Sequence, residues 1–107
     1  MKWYEDLYTG ESIVRKKDRI IRRIKRKRLT LSVYLITFPS NPANLLDIIP
    51  SRDLLQKGYP GDDLYIIGLA GGYDEALELV RQIVHETVSN TGACDVVSYL
   101  TNKKEIT

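Results

Sequence analysis

The sequence is poor in the residues from which chemistry is usually read: it has one cysteine, one histidine, one tryptophan and one methionine among 107 residues. A lone Cys94 excludes an intramolecular disulfide framework and any all-cysteine zinc site. It fits a reducing cytosol, so the expected location is cytoplasmic. No apolar run approaches the roughly 20 residues that a membrane-spanning helix needs. No secretory leader stands out either: the apolar stretch after the basic segment 15–28 is too short and lacks a small-residue cleavage site. No internal repeat, low-complexity tract or Gly/Ser linker divides the chain. At 43% hydrophobic and 28% charged, residues 1–107 read as one globular domain with an expected disordered tail at 102–107. A chain of this size buries somewhat under about 70% of its unfolded surface, enough for one core.

What the chain has in excess is positive charge in one place. Residues 15–28 hold ten cations and one anion, Asp18, a local net charge of +9; the rest carries six cations and thirteen anions, a net of −7. The overall +2 therefore hides a charge dipole. Such asymmetry bears on partners, solubility and association rate, and says nothing about fold.

Hydrophobic spacing gives the elements. Trp3, Tyr4, Leu7 and Tyr8 leave the segment from Lys2 to Tyr8 open between a short helix and an extended arm. From Ser12 to Arg28 the period is helical: Ile13, Val14, Ile20, Ile21 and Ile24 share an arc of about 120°, with Thr9 or Ser12 as the cap. Lys17 and Arg28 project into this apolar stripe and must snorkel. The helix repels itself in isolation, so its stripe needs tertiary partners.

Leu29 to Phe38 is β-branched and aromatic, apolar on both parities, and predicts a strand covered on both faces. Ser40-Asn41-Pro42 is expected to open a short helix through Asn44 and Leu46. A second helical turn from Pro50 to Asp53 would carry Leu54 and Leu55 and end at Gly58, Pro60 and Gly61. Leu64 to Ala70 is another apolar strand, broken by Gly71-Gly72. Tyr73 to Asn90 is the best-specified helix, with Ala76, Leu77, Leu79, Val80, Ile83, Val84, Thr87 and Val88 on its inner half and Gly92 at its end. Asp95 to Leu100 stays open between a third strand and a docking helix.

The order α-β-α-β-α-(β) predicts a small α/β domain with a short parallel or mixed sheet of two to four strands and packed helices. Doubly buried strands joined by a long helical connection favour a right-handed parallel crossover over a hairpin. So few strands barely make a core, which requires either that the amino-terminal segment join the sheet or that a second copy complete it.

Two places are candidates for binding. Arg15, Lys16, Arg19, Arg22, Arg23 and Arg26 form the polar side of the basic helix. The arginines at 15, 19, 22 and 26 make a ridge about 16 Å long at 1.5 Å per residue. Such a ridge spans several phosphates, and arginine grips each with paired donors. Neutralising four to six of them predicts a slope of about −3 to −5 for log K against log salt. No aromatic residue lies within 15–28 and no RNA-recognition signature is present, which argues against base-specific readout.

The second candidate is the strand-to-helix turn at 68–74, where Gly71 and Gly72 would offer backbone amides to an anion, joined by Ser40 and Asn41 if the strands run parallel. Its spacing is neither a dinucleotide fingerprint nor a P-loop, and Asp74 and Glu75 would repel a phosphate.

Nothing in the chain assembles a catalytic set. His85 projects from a polar helix face one turn after Arg81, which disfavours its protonation and metal binding. Cys94 has no basic neighbour in sequence to activate it. Asp62, Asp63, Asp74, Glu75 and Glu78 read as solvated acidic ends rather than a cation site.

The expected function is thus a binding or adaptor module and not an enzyme, with no cofactor and no metal, contacting an anionic partner through its basic helix. Nucleic acid is the simplest such partner and an acidic protein the next, with no membrane involved. One alternative is self-assembly as a homodimer or larger array, basic helix to acidic helix. Another is a small phosphate ligand at the 68–74 turn.

Overall fold

The computed structural model describes residues 1–56 and 64–106, the last four by backbone alone. Its strands are β1 (Lys2–Thr9), β2 (Tyr34–Thr37), β3 (Asp47–Pro50) and β4 (Tyr65–Ala70). Its α-helices are α1 (Lys17–Lys25), α2 (Tyr73–Thr91) and α3 (Val96–Ile106), with 3-10 segments at Glu11–Lys16 and Ser51–Leu55. The fold is a small α/β domain on a four-stranded mixed sheet of order β1-β4-β2-β3.

The two continuously apolar strands occupy the interior of the sheet because both their faces are covered. Ile36, Ile67 and Ala70 point to one side and pack with Tyr4 of β1, with Ala76, Leu79 and Ile83 of α2, and with Val96 and Leu100 of α3. Leu35, Ile66 and Leu69 point to the other, onto Ile13, Ile20, Ile24 and Leu54. Each interior strand thus feeds two cores, and an irregularity of register in β4 between Ile66 and Gly68 is what brings Ile67 and Ala70, three residues apart, to the same side. The basic rod, Glu11–Lys25, is pinned to the second of them by Ile13, Ile20 and Ile24.

Several expectations are corrected. The amino-terminal segment takes the extended alternative over the helix and joins the sheet, as the small number of strands required: it is an edge strand parallel to β4, with Lys2 opposite Tyr65 and Thr9 opposite Leu69. The long strand expected from Leu29 shrinks to Tyr34–Thr37, since Lys27 and Ser32 both take left-handed backbone angles, φ 53° and 59°. No helix runs through Asn44 and Leu46. Asn41 closes a turn there, accepting from the Ala43 N–H at 3.0 Å through its side chain and from the Asn44 N–H at 2.9 Å through its carbonyl. β3 follows, antiparallel to β2.

That inserted hairpin also overturns the parallel crossover. β4 returns on the far side of β2 and runs antiparallel to it, Tyr34 opposite Ala70 and Thr37 opposite Ile66. The parallel pair is β1 with β4. The 3-10 turn carrying Leu54 is present as expected, while its proposed terminators Gly58, Pro60 and Gly61 lie outside the described residues. Asp95 to Leu100 resolves as helix, α3 beginning at Val96. α2 begins after Gly72, whose φ of 150° favours glycine, and Gly92 closes it in the left-handed conformation.

The basic rod departs from the expected single helix. Its opening segment, Glu11–Lys16, is 3-10, which advances by about 120° per residue instead of 100°, so Val14 swings out of the apolar stripe and stands 55% exposed. Neither Thr9 nor Ser12 caps it; Gly10 precedes it without any side-chain cap. The α-helical part ends at Lys25, which frees Arg28 from the apolar stripe and leaves Lys17 half-buried at its edge.

Candidate functional site

Burial of Ile13, Ile20 and Ile24 dictates where the cations go. With those side chains inward, Arg15, Lys16, Arg19, Arg22, Arg23 and Arg26 are all exposed. Arg81 pairs with Glu78 at 3.5 Å within α2. Among the described residues no carboxylate is paired with the flank of the rod. Arg22, Arg23 and Lys25 fall in the last turn of α1, where the helix dipole favours cations.

Two cations have internal duties. Arg23 donates to the Leu29 carbonyl twice, through Nε at 3.2 Å and Nη2 at 2.8 Å. Lys25 stands over the Trp3 ring, 5.8 Å from its centroid. Arg15, Lys16, Arg19, Arg22 and Arg26 have no partner among the described residues.

Sequence reasoning missed what lies beside the rod. Between the left-handed residues Lys27 and Ser32, the chain folds into a fixed loop. Thr30 is turned inward, where its hydroxyl meets that of Ser51 at 2.7 Å; the Ser51 hydroxyl in turn donates to the Thr30 carbonyl at 3.0 Å. Leu29 and Leu31 are consequently turned outward, 47% and 80% exposed. Together with Lys16, Arg19 and Arg23 they line a groove of about 370 Å³. The apolar alternation of this segment mimics a strand and gave no warning.

The second candidate is not assembled. Because β2 and β4 are antiparallel, Ser40 follows the Thr37 end of β2 while Gly71 follows the Ala70 end of β4, so the two sit at opposite ends of the pair. Ser40 is engaged with Asp47, donating its N–H at 3.0 Å and its hydroxyl at 3.1 Å to one carboxylate oxygen. Asn41 holds its turn. At the other end the Gly71 N–H donates to Glu75 Oε1 at 2.6 Å. The Ser12 hydroxyl donates to the same oxygen at 2.9 Å, and the Ser12 N–H to Oε2 at 3.2 Å. The amide that was to meet a phosphate already has a carboxylate. Burial works to raise the Glu75 pKa, but the Gly71 and Ser12 donors outweigh it and hold the group below its ordinary value.

Of the remaining titratable residues, His85 is exposed on α2 and Cys94 is an exposed free thiol. Among the described residues no three histidine, cysteine or acidic side chains gather into a metal-binding group, and no helix is long and apolar enough to cross a membrane. Glu11, Asp74, Glu75 and Glu78 line an acidic groove of about 560 Å³ beside Val14. Asp62 and Asp63 lie outside the described residues. No protein-family model, no curated protein and no solved structure matches this chain. The bare cationic rod and its leucine loop are thus interpreted from their own chemistry.

Proposed function

We propose that this chain is a binding module whose basic rod takes a polyanionic partner, nucleic acid in the first place, in the cytoplasm. One observation carries the reading: Arg15, Lys16, Arg19, Arg22 and Arg26 are exposed and unpaired among the described residues, on an element whose opposite side is anchored in the core. The backbone of the rod is ordered before binding, so the ordering cost falls on the five side chains alone, and guanidinium groups suit phosphate oxygens. The interaction is with the backbone and carries little sequence information.

The test is a titration of labelled duplex and single-stranded oligonucleotides of mixed sequence at low salt. The natural protein is expected to bind, and the triple reversal Arg19→Glu, Arg22→Glu, Arg26→Glu to abolish binding while remaining folded. No retention by the natural protein, or equal retention by the reversal, removes the reading.

A second reading has one observation in its favour. The acidic groove at Glu11, Asp74, Glu75 and Glu78 is complementary to the rod of another copy. Sedimentation of the protein alone separates the two: self-assembly predicts a mass that rises with concentration and is lost in the same triple reversal.

A further inference from the structure

The leucine loop narrows the class of polyanion that the basic rod would take, and its role rests on the rod being a phosphate-binding surface. A purely electrostatic contact has no use for two leucines in water, yet the structure holds them there by four separate devices. Lys27 and Ser32 bend the chain at both ends through left-handed angles that residues with side chains seldom adopt. Arg23 grips the Leu29 carbonyl with two donors. Thr30, the residue between the leucines, is drawn inward and tied to buried Ser51. The result is a stiff projection whose tip, Leu31, is 80% exposed and shares a groove with Lys16, Arg19 and Arg23.

Cations that grip a backbone beside a rigid aliphatic tip form the combination with which proteins enter the minor groove of DNA, where the side chain wedges between base steps and bends the duplex. The rest of the surface agrees with a duplex and not a single strand. The rod is anchored along its length by Ile13, Ile20 and Ile24, so its backbone is held in place to meet phosphates that are themselves fixed in space. Trp3, the ring over which Lys25 stands, is half-buried, which disfavours it as a platform for an unpaired base. We infer that the partner is double-stranded DNA, its backbone held along Arg15, Arg19, Arg22 and Arg26 and its minor groove entered by Leu31.

The experiment uses the full chain and a mixed-sequence duplex of about 20 base pairs with a dye at each end, short enough to stay straight when free. Energy transfer is expected to rise as the natural protein binds, reporting a shortened end-to-end distance. Leu31→Ala, a change at a side chain already in water, is expected to leave the fold and the salt dependence intact. It should weaken binding about five- to tenfold and remove the rise in energy transfer. A Leu31→Ala protein that binds and bends like the natural one overturns the wedge, as does a single strand of the same length bound equally well, while the phosphate-binding reading survives both results. Failure to bind any nucleic acid, with Leu31-dependent binding to anionic phospholipid vesicles instead, overturns both.

Discussion

Glu75, in the first turn of α2, receives both the backbone N–H and the hydroxyl of Ser12, 63 positions earlier in the chain, at 3.2 and 2.9 Å. The same carboxylate accepts from Gly71 at 2.6 Å. One side chain thereby ties the start of the basic rod to the start of the longest helix and fills the turn with negative charge.

The tie is expected to make the fold sensitive to acid. The Glu75 pKa is lowered in the folded protein by the Ser12 and Gly71 donors against the effect of burial. Its contribution is thus present above the unfolded-state value and lost as the pH falls through the folded one. Glu75→Gln is expected to cost about 1–2 kcal/mol at neutral pH, the range for hydrogen bonds to a charged acceptor in a partly exposed site. Urea unfolding of both proteins at neutral and acid pH measures this, and the difference between them is expected to shrink at acid pH.

At the alkaline end the sign reverses. Tyr8 and Tyr99 both donate to Glu86 at 2.8 Å, joining β1, α2 and α3. Burial first, and then the bond to Glu86, raises both phenols: Tyr8 strongly, Tyr99 to about 12. A raised pKa gives stability that is complete below the unfolded value and is lost as the pH climbs toward the folded one. Stability is therefore expected to fall from about pH 10 upward. The double change Tyr8→Phe, Tyr99→Phe should flatten that fall, as followed by circular dichroism across an alkaline titration.

Arg19 sits in the most repulsive position of the rod, with Arg15, Lys16, Arg22 and Arg23 three or four residues away on either side. Each like-charged neighbour at that spacing costs a few tenths of a kcal/mol. Arg19→Gln is accordingly expected to raise stability by up to about 1 kcal/mol at low salt, with the gain screened away at high salt, and to weaken polyanion binding. Thermal unfolding at two ionic strengths checks the first part. A loss of stability on Arg19→Gln would mean that its charge is satisfied within the fold.

Much of the fold was legible because long, strongly patterned segments leave little choice. Ala76, Leu79, Ile83 and Thr87 are the buried stripe of α2, while Leu77 and Val88, expected on the same half, stand exposed at its margins; β4 is as deeply buried as its composition demands. The edges were harder. In β1, Trp3 and Leu7 face one core and Tyr4 and Tyr8 the other, and a spacing of four satisfies a strand and a helix alike. β3 is four residues ending in proline, tolerable only on an edge that needs no further partner. The basic rod was visible as charge, and its bareness follows from Ile13, Ile20 and Ile24. The outward leucines were invisible, because their exposure is set by Thr30 reaching Ser51, 21 residues away, and no local pattern records such a contact.

The salt dependence of binding to a mixed-sequence duplex tests the central claim most directly. Five bare cations engaging phosphates predict that log K falls linearly with log salt at a slope of about −4, and that Arg19→Gln reduces the slope by about one unit. Binding that ignores salt, or a slope unchanged by the loss of Arg19, would contradict it.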